Sequence, residues 1–465
     1  MTVKVLVLNP PYFRQSYNRV ARWDGVSISK TIWYPIYLAY CTGLLEKYGH
    51  DVILIDCVAD QLSLAEVLVK AKHFSPDLAV INYSTLSTDI DIATAEGIKA
   101  GSDSYVILVG PCCSINPEET LLISKKVDGL IRREFDYAVL ELANGLSENR
   151  IKNLSWKHSG KIIHNLDRPP VSSDQLNEFP FVTDVYNRHL KIRNYHQAAQ
   201  LHPFVDLFTG RSCSWGKCTF CLWPYTINQG APYRTRKMDN VIEELRFIDE
   251  SLPFIREIYI QDDTLPAWRA RELSSAIIKD GLDITWSCYT RSDATMKYDT
   301  LQLMKKAGCR ALHVGYESAD PQILKNIRKG TSVKLMDTFT DEANKAGLMI
   351  HADFILGLPG ETVETIKKTI AWAKKLAVDS YQFIVPKPYP NTPLYNWLVK
   401  EKCLNENGQV TYPGLSHDEL CEWTRTAMKE CFFRWGYIKR VLSNPKEIGR
   451  VISVGLRTLP HILSD

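Results

Sequence analysis

The chain has 465 residues, 45% apolar and 23% charged, the proportions of a globular protein long enough for two or three cores. Its 56 Lys and Arg against 53 Asp and Glu leave a formal charge of +3, which excludes a polybasic nucleic-acid binder and an acidic disordered tail. No apolar run reaches the roughly 18 residues that would cross a bilayer, and a cytoplasmic protein is expected. Twelve cysteines are many for that compartment, where disulfides are rare, so clustered ones read first as metal ligands.

Residues 1–145 alternate short β-branched runs with amphipathic stretches. Strands are expected at Val3–Leu8, Asp51–Ile55, Leu78–Asn82 and Tyr105–Val109, with helices such as Ala39–Lys47 and Leu64–Phe74 between them. That order argues an α/β, doubly wound (Rossmann-like) parallel sheet, whose ligands sit beyond the carboxyl ends of the strands. Small and hydroxyl-bearing residues follow those ends: Asn9 and Pro10, then Ser84 and Thr85, then Gly110 to Ser114. The three-glycine pattern of a dinucleotide fold is absent. Residues 146–202, rich in Asn, Ser, His and Pro, read as a linker with one small hairpin near Ile151–Asn165.

Alternation resumes over residues 203–400, with strands expected at Phe204–Thr209, Glu257–Gln261, Ile284–Cys288, Ala311–Tyr316, Met349–Leu356 and Tyr381–Val385. Six strand–helix units predict a partial (β/α)6 barrel with its chemistry at the strands' carboxyl ends. Residues 401–465 read as a helical C-terminal region. From Lys429 its cations outnumber its anions and alternate with Phe, Trp and Leu; the readings are a solvated helical face or a peripheral contact with a membrane.

The strongest signal is Arg211-Ser212-Cys213-Ser214-Trp215-Gly216-Lys217-Cys218-Thr219-Phe220-Cys221, directly after the first barrel strand. Thiolates this close favour zinc or an iron–sulfur cluster. Structural zinc wants a fourth ligand, but the next cysteine is Cys288 and the nearest histidine is His202. A 4Fe–4S cluster held by three cysteines instead keeps one iron open for a substrate.

These residues resemble the radical S-adenosylmethionine (SAM) superfamily, in particular its cobalamin-binding branch, over residues 1 to about 400. The usual spacing there is Cys-x3-Cys-x2-Cys; this chain carries one extra residue between Cys213 and Cys218. The resemblance implies a 4Fe–4S cluster on Cys213, Cys218 and Cys221, with Phe220 beside it. It implies that Gln261, Asp262 and Asp263 hold the SAM amino group, that Glu317 accepts from the ribose, and that Gly357 to Glu361 flank the adenine and methionine. Arg291 would take the SAM carboxylate as a bidentate fork. The plainer readings are an N-cap for Asp263, a solvated strand-end carboxylate for Glu317, a helix start for Glu361 and an ordinary salt bridge for Arg291. Cobalamin is expected at Asn9, Pro10, Ser84, Thr85, Gly110 and Ser114, although the Asp-x-His-x-x-Gly element that places a histidine on cobalt is missing.

The expected function is cobalamin-dependent radical SAM chemistry at an unactivated carbon of a small molecule, most directly C-methylation. An external electron donor such as a flavodoxin or ferredoxin would feed it. The alternatives are a radical cyclase or carbon-skeleton rearrangement and, from another class, a non-catalytic cobalamin or redox sensor.

Overall fold

The computed structural model describes residues 2–12, 17–18, 25–27 and 29–463; the rest of the 1–145 and 401–465 stretches lies outside the described residues. The chain divides into two compact units. The first comprises residues 1–197, 202–210 and 223–237. The second comprises 198–201, 211–222 and 238–465.

In the first unit the expected strands form as β1 (Lys4–Asn9), β2 (Asp51–Asp56), β3 (Leu78–Asn82) and β4 (Tyr105–Val109). A short β5 (Gly129–Ile131) follows. They lie in the order β2-β1-β3-β4-β5, all parallel, the doubly wound arrangement with its switch point between β1 and β3. Val5 to Leu8, Ala79 to Ile81 and Val106 to Val109 are fully buried, as a parallel sheet covered on both faces requires. Of the stretch 146–202, expected as a linker, residues 146–197 and 202 extend this unit. Its hairpin, β6 (Leu154–His158) and β7 (Lys161–His164), joins the edge of the sheet antiparallel. Alternating apolar residues such as Leu154 and Trp156 supply the face that buries it. Residues 223–237 return to the same unit, where the Arg234 guanidinium meets the Glu134 carboxylate at 2.9 and 3.1 Å, both groups buried.

The remaining expected strands form as β8 (Phe204–Leu207), which belongs to the first unit, and then β9 (Glu257–Ile260), β10 (Trp286–Thr290), β11 (Cys309–Glu317), β12 (Met349–Ile355) and β13 (Ser380–Ile384). Strands β9 to β13 lie side by side in chain order, all parallel. Amphipathic helices join them, among them Ala267–Asp280, Tyr298–Lys306, Val333–Lys345 and Val363–Ala373. Each turns residues such as Leu273, Leu301, Phe339 and Ile366 inward. The partial barrel is thus present, and three helices, His417–Phe432, Trp435–Leu442 and Pro445–Leu463, end the chain.

At β8 the first unit buries a carboxyl group among tyrosines. The Tyr186 hydroxyl donates to Asp206 Oδ1 at 2.6 Å, and Tyr34 stacks between Tyr186 and Tyr195 with ring centroids 4.3 and 4.0 Å away. Burial pushes the Asp206 carboxyl up to about 8, although the Tyr186 bond opposes it. An acid whose folded pKa exceeds its unfolded value of about 3.9 contributes stability that is complete below that value and declines as pH rises toward the folded pKa. Asp206→Asn keeps an acceptor for Tyr186 but cannot ionise. Thermal unfolding across pH should show the variant gaining on wild type between pH 5 and 8, by on the order of 3 kcal/mol at the upper end. A pH-independent difference would contradict this account.

Candidate cluster and SAM site

Because β9 to β13 are parallel, every side chain at a strand's carboxyl end faces one end of the second unit. Gln261, Asp262 and Asp263 follow β9, the first two buried and the third half-buried. Arg291 follows β10, Glu317 ends β11 and Gly357 follows β12. The cysteine loop reaches this end through backbone bonds on both sides of Thr219. The Thr219 N–H donates to the Ile327 carbonyl at 3.1 Å, and its carbonyl accepts the Leu394 N–H at 3.0 Å.

The turn Ile327–Gly330 is the point on which these groups meet. The Lys329 ammonium lies 2.6 Å from Glu317 Oε1, both side chains buried. The Arg291 guanidinium donates to the Lys329 carbonyl and lies 4.9 Å from the Trp215 ring. The Trp215 indole N–H in turn donates to the Arg328 carbonyl at 2.8 Å. Burial pushes the Cys218 thiol up, while the neighbouring Lys329 and Arg291 pull it down. Cys213 and Glu317 stand near enough to add to the upward shift. Burial raises Glu317 likewise, against the pull of Lys329.

Cys213, Cys218 and Cys221 are partly exposed and form no disulfide, and Phe220 is partly exposed between them. The Cys221 N–H donates to the Cys218 carbonyl at 3.3 Å, closing a tight turn. Among the described residues no three Cys, His, Asp or Glu side chains are grouped so as to hold a metal ion. The number of cysteines in the loop and their cationic neighbours fit a cluster bound through thiolates.

Glu361 uses its carboxylate within its own loop. Oε2 accepts the Gly357 N–H at 3.0 Å and Oε1 accepts the Thr365 hydroxyl at 2.5 Å, so the plain helix-start reading fits its bonds. Gly357, at φ +101°, is held from the other side by the Tyr412 hydroxyl, which donates to its carbonyl at 2.9 Å.

Sequence reasoning passed over Lys329, because Lys325 to Gly330 reads as an ordinary helix end with basic residues and a glycine. It also passed over Asp353. The strand register sets Asp353 between Gly315 and Gln382, and Asp353 bears electrostatically on Glu317. His351 stands 3.2 Å from Asp353 Oδ1 and 2.7 Å from the Ser380 hydroxyl.

In the first unit the loops expected to meet cobalamin follow β1, β3 and β4. Asn9 donates to Asp56 Oδ1 at 2.8 Å and Pro10 is buried beside it. Ser84 shares a hydrogen with Tyr17 at 2.9 Å, Thr85 is exposed, and Ser114 accepts the Arg133 N–H at 2.7 Å. Gly110 lines an open cleft with Tyr37, Asn82, Arg133 and Trp223. A Cβ at Gly110 would fall 2.6 Å from Asn82 Oδ1, so only glycine keeps this floor open. Asn9, Ser84 and Ser114 thus shape the loops, while Gly110 alone of the expected six lines the cleft.

Gly330 tests the assembly of the cluster loop. A Cβ there would lie 2.2 Å from the Trp215 ring, at φ +70°. Gly330→Ala should cost about 2 kcal/mol in urea unfolding and lower the iron retained after reconstitution, because Trp215 sits between Cys213 and Cys218. Wild-type stability and iron content would break the link between that turn and the loop.

A family model described as the radical SAM superfamily matches residues 207–373. An uncharacterized methyltransferase of Pyrococcus horikoshii is 31% identical over 410 residues, covering 86% of this chain and 84% of the relative. The anaerobic magnesium-protoporphyrin IX monomethyl ester cyclase of Rubrivivax gelatinosus is 22% identical over 419 residues, 85% of this chain and 70% of that enzyme. Among solved structures, the radical SAM methyltransferase TsrM of Kitasatospora setae, determined with cobalamin and a 4Fe–4S cluster bound, superposes with a TM-score of 0.70 at 16% identity. That match covers 99% of this chain and 96% of TsrM, a likeness of fold. With the cysteine loop, the parallel strand ends and a relative this close over most of its length, the chain belongs to the radical SAM superfamily.

Proposed function

We propose that this enzyme binds a 4Fe–4S cluster through Cys213, Cys218 and Cys221, SAM at the carboxyl ends of β9 to β12, and cobalamin over the Gly110 cleft of the first unit, and that it methylates an unactivated carbon of a small molecule. The observation that carries it is the gathering of Cys218, Arg291, Glu317 and Lys329 around one turn. The cofactors supply the hard chemistry: reductive cleavage of SAM to methionine and a 5′-deoxyadenosyl radical, hydrogen abstraction, and a methyl group from cobalamin.

The chain's residues bind and orient. Asp262 and Asp263 are acceptors for the SAM ammonium, which needs oxygen partners rather than donors. Glu317, fixed by Lys329, accepts from the ribose hydroxyls. Arg291, set against Trp215, presents its guanidinium to the carboxylate. Gln261 adds an amide beside the aspartates. Glu361 acts one step back, setting the Gly357 turn so that backbone can approach the ligand closely. In the first unit Tyr37 and Trp223 offer flat apolar walls beside Gly110.

An external one-electron donor, a flavodoxin or ferredoxin, and a cytoplasmic site of action complete the reading, with the C-terminal region as a peripheral membrane contact. The cyclase relative supports a second outcome, ring closure through the same SAM-derived radical.

Cys218→Ala, reconstituted without oxygen, should lose the cluster's broad visible absorption and all 5′-deoxyadenosine formation under a strong reductant; retained cleavage would remove the cysteines from the mechanism. With SAM deuterated in its methyl group, a label in the product marks methyl transfer. An unlabelled product marks cyclisation instead.

A further inference from the structure

The end of the chain turns Arg434, Arg440 and Arg450 inward and its bulky apolar groups outward. Arg434 donates to the Tyr381 hydroxyl at 2.6 Å. Arg440 grips Asp379 at 2.7 and 2.9 Å. Arg450 donates to Glu447 at 2.6 Å and to the Ala198 carbonyl at 2.7 Å, and Arg310 meets Glu447 at 3.2 Å. These bonds fasten the last two helices to the second unit.

The opposite face is apolar. Trp435 is 74% exposed and Leu456 72%, with Phe433, Ile438, Leu442 and Ile452 also exposed. Trp435, Ile438 and Leu442 recur at intervals of three and four along one helix, and Ile452 and Leu456 stand four apart along the next, so each set shares one face. An amphipathic helix that packs only on its own protein would turn those faces inward. Between residues 433 and 458 the one acidic residue is Glu447, and it is buried. Lys439 and Arg457 are exposed beside those faces. The outward surface therefore offers apolar groups and positive charge without a negative one.

We infer that the outward face of residues 433–458 docks on an anionic lipid bilayer, an inference that rests on the peripheral membrane contact assigned to this region. Its chemistry matches both layers of such a surface. Lys439 and Arg457 meet anionic headgroups, each contributing attraction that salt screens. Trp435 enters the interface, where indole is favoured, and Leu442, Ile452 and Leu456 enter the acyl boundary. No helix among the described residues is long and apolar enough to cross a membrane, so the segment lies on the surface.

The test is sedimentation of the full chain with sucrose-loaded vesicles, of phosphatidylcholine alone or mixed roughly two to one with phosphatidylglycerol. The chain should pellet with the anionic vesicles, less so as salt rises, and weakly with neutral ones. Trp435→Glu with Leu456→Glu should cut that binding at least about tenfold. Because both side chains are exposed, far-ultraviolet circular dichroism and melting temperature should be unchanged. Lys439→Glu with Arg457→Glu should abolish the preference for anionic lipid. Wild-type protein left in the supernatant, equal binding to both vesicles, or variants that bind like wild type would overturn the inference. So would a dimer in light scattering that Trp435→Glu with Leu456→Glu dissolves, since the face would then belong to a second copy. Iron content and 5′-deoxyadenosine formation, measured on the same preparation, report on the radical chemistry separately.

Discussion

The ion pair between Lys329 and Glu317 is the contact on which the second unit's site depends. A buried ammonium and carboxylate are tolerable only together, because removing either strands the other in a poor solvent for charge. Their 2.6 Å contact fixes the end of β11 against a turn distant in sequence. Each neighbour of Lys329 in that turn has its own task. Ile327 receives the cysteine loop at Thr219, Arg328 receives the Trp215 indole, and Gly330 leaves room for the ring. The loop that presents three thiols is therefore carried by the same turn whose Lys329 holds the Glu317 carboxylate. The cysteine loop and the end of β11 are coupled through this turn, to which Trp215 spans from between Cys213 and Cys218.

The first unit solves a different problem. Its strand order places the ends of β1 and β3 at a switch point, where the helices that follow diverge and leave a crevice. A large flat ligand there needs a floor without side chains and walls without charge. Gly110 supplies the first, and Tyr37 and Trp223 supply much of the second. Trp223 stands two residues after Cys221 yet belongs to this unit. The chain leaving the cysteine loop is anchored again at once by the buried Arg234–Glu134 pair.

Much of this was legible from the residues. Leu78–Asn82, Tyr105–Val109 and Leu64–Phe74 form with the boundaries that their apolar patterns imply, because buried parallel strands and capped amphipathic helices are dictated locally. The three cysteines and the strand-end polar residues were legible for the same reason. What escaped was long-range. Nothing near Lys329 in sequence announces a carboxylate twelve residues earlier, and its surroundings imitate a helix terminus. Asp353 and His351 lie in an alternating strand pattern that marks which face they share but not what they meet there. The hairpin at 154–164 was visible, but its place on the sheet was not, since edge pairing depends on the partner strand.

The charges at the second unit's strand ends are unequally committed. Lys329 is held by Glu317, and Arg291 is occupied by the Lys329 carbonyl and the Trp215 ring. Glu361 is enclosed in its own turn. Asp353 differs: about 29% of its side chain is exposed, and its register neighbour Gln382 is exposed as well. A carboxylate open to solvent beside an amide attracts donors and repels anions, and His351 braces it from below through Ser380. Lys329 and Glu317 are thus fixed as a buried pair, and Arg291 is held against them through the Lys329 carbonyl. The row from Asp353 to Gln382 is open to solvent where the Lys329–Glu317 pair is closed to it, so one strand-end carboxylate is committed within the protein while the next keeps contact with water.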